Sequence, residues 1–288
     1  MSAFVWLTIL TALRILARNR LRAGLTMLGI VIGVAAVIAM VSIGEGAKRA
    51  VQAQIATMGT NVIIIFPGVT SASGVRGSQG TAVTLTVSDA LDLKKRIPLL
   101  ADTGWAKRDV MQIVYGNRNW NGPINGVSPS YLTIRDWSLT SGAPFTQTDL
   151  DTAARVALIG QTIVGNLFEP GEEPVGAVIR IKNVPFRVIG VLAPKGQSAQ
   201  GSDQDDVIFI PFSTAERKVF GTSFVGSVGA MFGSTDQVED LPMAAEQIRE
   251  VLRARHRLQT EQEDDFTIRT QVDKIGRASG RERVCLAV

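Results

Sequence analysis

The acidic run Asp203-Gln-Asp-Asp206 is the densest group of side chains in this 288-residue sequence that could do chemistry. Carboxylates bind hard cations such as Ca²⁺, but the run lacks the further ligands and the glycine of an EF-hand loop. We therefore expect an acidic loop that leads into a strand at residues 207–210, and not a calcium site.

The single histidine, His256, is the second candidate, and it is interleaved with Arg253, Arg255 and Arg257. Neighbouring positive charges disfavour a protonated imidazole. We therefore expect a lowered pKa for His256, a position on a solvated helix face and no bound metal ion.

Motifs for nucleotide chemistry are absent from the sequence. It contains no G-x-x-x-x-G-K-[ST] phosphate loop and no G-x-S-x-G nucleophile elbow. Gly44-Glu45-Gly46 resembles the start of a dinucleotide fingerprint, but Arg49 occupies the third glycine position and an apolar run precedes it in place of a strand. We expect neither an enzyme nor a bound cofactor or metal ion.

One uncharged apolar run, residues 23–44, is long enough to anchor the rest of the chain to a membrane. As a helix it covers the roughly 30 Å hydrocarbon core of a bilayer. Four arginines precede it, whereas Glu45, Lys48 and Arg49 follow it. The positive-inside rule then predicts a cytoplasmic N-terminus and a periplasmic body. A cleaved signal peptide is disfavoured, because the run is longer than a signal peptide's apolar region and no small-x-small cleavage site follows.

The apolar run also carries a helix-packing pattern, since Gly29 and Gly33 form a GxxxG pair. Small residues at this spacing allow two membrane helices to approach closely, although glycine is common in membrane helices generally. Residues 1–20 predict an amphipathic cytoplasmic arm along the inner leaflet, with its arginines facing anionic headgroups.

The distribution of charge argues against nucleic-acid binding. The chain has a net charge of +4, but residues 1–44 contribute +4 and residues 274–288 contribute +3. Residues 45–273 hold 22 basic and 25 acidic side chains, so the body is mildly acidic. The only cysteine, Cys285, lies in the tail, which excludes a disulfide or cysteine–metal site in the body.

The body, residues 45–273, reads as α+β. Periodicity predicts helices at residues 45–58, 86–96 and 161–168 and another beginning at Leu241, and strands at residues 61–66, 81–86, 156–159, 177–181, 186–192, 207–210 and 266–270. Residues 67–80 are rich in glycine and serine and predict a loop. Turn signals recur between residues 117 and 211, which predicts a β-rich part inserted between two parts of βα character.

The last fifteen residues, 274–288, have no apolar periodicity and closely resemble the translation of a sequencing-adapter read. We expect them to be non-native and the natural chain to be interrupted near Asp273.

Several segments together resemble ABC-transporter permeases of the macrolide-exporter (MacB) type. They are residues 26–47, 58–61, 126–131, 134–137, 156–160, 185–196, 203–206 and 253–258, and they follow the family's order and spacing. The resemblance implies a fold with one transmembrane helix at residues 21–44 and a periplasmic domain. That domain would have a discontinuous porter-like α/β part at residues 45–116 and 212–273 and an inserted β-rich subdomain at residues 117–211.

The resemblance further implies an inner-membrane permease subunit of an ATP-driven exporter, lacking the family's three later membrane helices. Its expected partners are a separate ABC ATPase, a second permease copy in a homodimer or heterodimer, and a periplasmic adaptor with an outer-membrane channel. Gly29 and Gly33 would pack helices, Gly44 and Gly46 would form a bend at the membrane exit, and Asp203, Asp205 and Asp206 would contact a partner. The alternatives are a lipoprotein-releasing or cell-division permease, and a membrane-anchored binding or scaffold module without ATPase coupling.

Overall fold

The computed structural model describes residues 20–56, 61–68, 84–198, 201–221 and 224–270. The chain divides into two compact units, Met1–Gln54 and Ile55–Val288. Residues 1–19 of the predicted amphipathic arm (1–20), most of the predicted glycine-rich loop and the tail at residues 274–288 lie outside the described residues.

The first unit is dominated by one long helix, α1 (Arg20–Ala56, 37 residues). Its segment Gly24–Gly46 is long and apolar enough to cross a membrane, and none of that segment is buried. The predicted apolar run and the helix predicted after it are therefore one continuous helix, which passes through Gly44 and Gly46 without interruption.

The second unit contains an antiparallel sheet in the order β10-β1-β9-β2. These strands are β1 (Val62–Pro67), β2 (Leu100–Tyr115), β9 (Ala230–Thr235) and β10 (Phe266–Thr270). Two helices, α2 (Val87–Arg96) and α7 (Leu241–Arg255), share an apolar core with this sheet. The α7 face is set by Leu241, Ala244, Ile248 and Leu252, which recur every three or four residues and are all fully buried.

The second half of β2 belongs to a closed six-stranded barrel. The other strands are β3 (Arg118–Val127), β5 (Val156–Ile159), β6 (Val178–Ile181), β7 (Val184–Leu192) and β8 (Ile208–Pro211). Pairing runs β2-β3-β8-β5-β7-β6 and returns to β2, where Ile113 pairs with Ile181. The interior is filled by β-branched and aromatic side chains such as Ile124, Ile179 and Phe186.

Shorter elements complete the second unit. They are α3 (Pro129–Ile134), β4 (Leu139–Gly142), α4 (Gln147–Asp151), α5 (Gln161–Leu167), α6 (Phe212–Thr214), a π-helix (Ala215–Phe220) and a 3₁₀ turn (Val238–Asp240). The strands predicted at residues 156–159, 177–181, 186–192, 207–210 and 266–270 are confirmed to within two residues.

One predicted strand is wrong where it can be compared. Of residues 81–86, only 84–86 are described, and they form no strand beyond an isolated bridge from Thr86 to Ser227. Thr86 instead caps α2, because its side chain accepts a hydrogen bond from the Asp89 amide and Asp89 accepts one in return. The division at residues 116/117 and 211/212 stays a prediction, since β2 is shared by the open sheet and the barrel.

Candidate functional site

The acidic run is tied into its own domain by hydrogen bonds. Asp205, whose exposed fraction is 9%, accepts hydrogen bonds from the backbone amides of Lys195 (2.7 Å) and Gly196 (3.0 Å). Asp203 accepts one from the Thr162 hydroxyl at 2.7 Å, and Asp206 accepts one from the Trp120 indole at 2.9 Å. These carboxylates therefore fix the loop that precedes β8.

Gly160 explains how closely this loop packs on the barrel. A Cβ atom at position 160 would lie 2.1 Å from the Asp205 carbonyl oxygen, so only glycine fits there. Among the described residues, no group of three or more His, Cys, Asp or Glu side chains is arranged to hold a metal ion. The geometry gives the acidic run a structural role and no ligand set for a cation.

A cavity of about 250 Å³ lies between the acidic loop and the segment around α3. Tyr131 and Trp137 meet Phe209 edge to face, with ring centroids 5.5 and 5.2 Å apart. Lys195 lies beside this wall, 4.5 Å above the Trp137 ring, and donates a hydrogen bond to the Arg135 carbonyl at 2.8 Å. Burial, together with the nearby charge of Arg135, lowers the pKa of Lys195 to about 8.

His256 corrects the sequence-based expectation. Its side chain is only 11% exposed, and Nδ1 lies 2.7 Å from a carboxylate oxygen of Asp265. Nε2 lies 3.6 Å from Asp89, which is an ion-pair distance and too long for a hydrogen bond. The hydrogen bond to Asp265 and the charge of Asp89 raise the pKa of His256 to about 9, against the effect of burial.

Arg253 and Arg255, the neighbours of His256 on α7, are paired with carboxylates, and the pKa of His256 is raised and not lowered. Arg255 forms ion pairs with Asp89 (2.7 Å) and Asp92 (2.6 Å) on α2, and Arg253 pairs with Asp264. Burial opposes ionisation of Asp89, but its contacts with His256, Thr86 and Arg255 outweigh that effect and hold its pKa below the ordinary value. A cationic histidine at the end of α7 thus contacts carboxylates at the start of α2 and immediately before β10.

The two predicted groups of site residues lie in different units. Gly29, Gly33, Gly44 and Gly46 are in α1, and a Cβ atom at any of them would meet none of the described residues within 4 Å. Asp203, Asp205 and Asp206 are in the second unit. The roles of these residues in helix packing, in a bend and in partner contact stay predictions.

Sequence reasoning missed Asp89 and Asp265 as partners of His256. The capping pattern that begins at Thr86 marks Asp89 locally, but nothing in the sequence connects it with a histidine 167 positions away. Asp265 also contacts two other segments of the chain. Its backbone carbonyl accepts hydrogen bonds from the Gly68 amide (2.7 Å) and the Thr84 hydroxyl (2.8 Å).

Comparisons with known proteins agree with this architecture. A family model described as a MacB-like periplasmic core domain matches residues 23–251. The chain is 37% identical to a macrolide export ATP-binding/permease protein MacB of Syntrophobacter fumaroxidans, over 91% of this chain and 44% of that protein. It is 40% identical to the protein of the same name in Rhodospirillum rubrum, over 84% of this chain and 36% of that protein. The chain thus spans less than half the length of these relatives.

The fold matches a crystal structure of the periplasmic region of MacB from Actinobacillus actinomycetemcomitans, with a TM-score of 0.63 at 24% identity. The match covers 78% of this chain and 95% of that one. Together these matches confirm the resemblance and the expected mixed α/β architecture.

Proposed function

Because the chain belongs to the family of MacB-like periplasmic core domains, we propose that it is a membrane-anchored part of an ABC transporter permease. The observation that carries this proposal is the family match at residues 23–251, which joins the apolar segment of α1 and the folded domain in one stretch. In this proposal α1 crosses the inner membrane with its arginine-rich end in the cytoplasm and the second unit in the periplasm.

The role we propose is mechanical and not catalytic. An ABC ATPase would bind and hydrolyse ATP in the cytoplasm and would draw two permease copies together. Only residues 57–61 separate the end of α1 at Ala56 from the start of β1 at Val62. β1 is hydrogen-bonded to β9 on one edge and to β10 on the other, so a pull on α1 acts on a strand inside the sheet. The resulting motion would drive substrate towards an adaptor and an outer-membrane channel.

The sheet order supports a domain placed between membrane segments. β10 runs antiparallel to β1, and Thr270 pairs with Ile63 near the start of β1. A chain that continues beyond Thr270 leaves the sheet beside the point where the chain from α1 enters it. This arrangement suits a permease in which further membrane helices follow the domain.

We assign Gly29 and Gly33 to packing against a second membrane helix, and Gly44 and Gly46 to the region where α1 leaves the bilayer. No described residue lies within 4 Å of a Cβ atom placed at any of the four glycines, which leaves room for such a neighbour. Asp203, Asp205 and Asp206 are weaker candidates for partner contact, because each carboxylate already accepts a hydrogen bond within the domain.

A chimera tests the proposal. Residues 23–251 would replace the aligned segment of the full-length Rhodospirillum rubrum relative, in a strain without its own macrolide exporter. We expect macrolide resistance above that of the same chimera with an inactivated ATPase. A four-residue Gly-Ser insertion after Gly59 should abolish the gain, whereas the same insertion at the exposed turn of Gly171 should preserve it.

Two results would overturn the proposal. A chimera that reaches normal membrane levels but confers no more resistance than its ATPase-inactive control would contradict export. Full resistance with the insertion after Gly59 would contradict transmission from α1 to β1.

A further inference from the structure

One edge of β2 is paired with β3, and the opposite edge is paired with β9 and β6 but is open between them. On that side β9 accompanies β2 as far as Ala106, and β6 joins it only at Ile113. Between these points β3 pairs with one edge of β2, and no strand of the described chain pairs with the other.

The hairpin register shows which backbone groups face this open edge. β2 and β3 are joined by the two-residue turn Gly116-Asn117, so Tyr115 and Arg118 form the hydrogen-bonded pair beside the turn. Alternation from that pair directs the amides and carbonyls of the odd-numbered residues towards β3. The even-numbered residues Arg108 and Val110 therefore direct theirs to the open edge.

The flanking hydrogen bonds agree with this alternation. The Ala106 carbonyl accepts from the Gly229 amide at 2.9 Å, and the Gln112 carbonyl accepts from the Lys182 amide at 3.4 Å. The Val110 amide donates to the side chain of Asp109 at 2.8 Å. Within the described part of the chain, the Arg108 amide and the carbonyls of Arg108 and Val110 have no hydrogen-bond partner.

The gap has the length of a short strand. Seven residue steps from Ala106 to Ile113 correspond to about 24 Å at about 3.4 Å per residue. A segment of four or five residues fits there in line with β9 and β6. Val110, which is 55% exposed, would gain a cross-strand neighbour.

The charge around the gap selects the occupant. Residues 107–112 and 180–183 carry four cations and one carboxylate, namely Lys107, Arg108, Arg180, Lys182 and Asp109. A cavity of about 370 Å³ adjoins the edge, and its lining includes Arg180 and Lys182 but no acidic side chain. An acidic segment complements these cations, whereas a second copy of the same edge would bring like charges together.

We propose that the open edge of β2, between β9 and β6, binds an extended acidic segment of a partner protein by strand addition. Main-chain hydrogen bonds to Arg108 and Val110 hold the segment, and Arg180 and Lys182 select its acidic side chains. Residues 69–83 of this chain contain no acidic side chain, and residues 271–288 carry a net positive charge, so neither complements the edge. The inference does not depend on transport activity.

A peptide assay on the full chain in detergent tests the proposal. The probe is a fluorescein-labelled heptapeptide of alternating glutamate and valine, followed by fluorescence anisotropy. We expect saturable binding that weakens at least tenfold in Arg180→Glu and changes less than twofold in Lys95→Glu. Lys95 is an exposed residue of α2, so its reversal makes the same charge change away from the edge.

Two further measurements separate strand addition from charge attraction. The same peptide with proline at its centre keeps its charge but loses a backbone donor, so it should not bind. Amide hydrogen exchange at Arg108 should slow when the original peptide binds, whereas the amides of Lys107 and Asp109, which face β3, should change little.

Several outcomes would overturn the proposal. If the proline peptide binds as tightly as the original peptide, charge attraction alone explains the binding. If Lys95→Glu weakens binding as much as Arg180→Glu does, the peptide does not bind at β2. If no peptide binds, the charges serve only to protect a free strand edge against aggregation. Dimers that form through this edge and resist the peptide would make it a contact between copies of the chain.

Discussion

Replacing His256 with glutamine should destabilise the second unit strongly at pH 6 and only weakly at pH 9.5. Glutamine keeps a hydrogen-bond donor near Asp265 but cannot carry the positive charge that lies between Asp265 and Asp89. In the native protein that charge joins the end of α7 to the start of α2 and to the approach of β10.

The magnitude and sign follow from proton linkage. The folded pKa of about 9 lies above the ordinary value of 6.5, so protonated His256 stabilises the fold. At 1.36 kcal/mol per pKa unit, the difference corresponds to about 3 kcal/mol. This contribution is complete below pH 6.5 and is lost as the pH rises to about 9. Lys195, with a pKa lowered to about 8, gives the opposite slope above pH 8, so the prediction concerns the difference between variant and native protein.

Urea titration of the detergent-solubilised chain, followed by tryptophan fluorescence, measures this difference. Trp105 is buried in the same core as α2 and α7 and reports on that region. Arg257→Gln is the matched control, because it removes one positive charge at an exposed neighbouring position. A His256→Gln penalty that stays constant from pH 6 to 9.5, or grows with pH, would refute the assignment of a cationic histidine.

Three other predictions follow from the structure. A periplasm-active reporter fused after Asp240 should be active, and activity of a cytoplasm-specific reporter alone at that position would reverse the proposed orientation. Gly29→Leu or Gly33→Leu should insert into the membrane normally but weaken association with a second helix by about 1 kcal/mol or more, as measured by crosslinking in membranes; unchanged association in both would mean that these glycines face lipid. Gly160→Ala should lower the thermal midpoint because its Cβ would clash with the Asp205 carbonyl, whereas Gly165→Ala, which meets open space, should be neutral; equal midpoints would contradict the close packing of the acidic loop.

The hydrophobic periodicity of the sequence predicted those helices and strands that bury one face and expose the other. The period of Leu241, Ala244, Ile248 and Leu252 marks α7 because one face of the helix is buried and the other is solvated. The six-stranded barrel could not be predicted as closed, since closure depends on the pairing of Ile113 with Ile181, which are 68 positions apart.

The charge state of His256 is likewise set by residues that are not its neighbours in the sequence. Its sequence neighbours are arginines, but the groups it contacts in space are carboxylates on other elements. Likewise, the length of β2 was obscured by its polar middle. Residues 108–110 are all exposed, so neither face of the strand is covered there and the alternation that marks a half-buried strand disappears.

The open edge and the proposed force path meet at β2. In the proposed mechanism a displacement of β1 would pass through β9 to the first half of β2, and the second half of the same strand is part of the barrel. Residues 107–112 are the part of β2 that runs from the sheet into the barrel, and among the described strands only β3 pairs with β2 there. A strand bound between β9 and β6 would add hydrogen bonds to that segment and stiffen it. Occupancy of the edge would then control how far movement at β1 reaches the barrel, which gives a partner at this position a mechanical as well as an adhesive role.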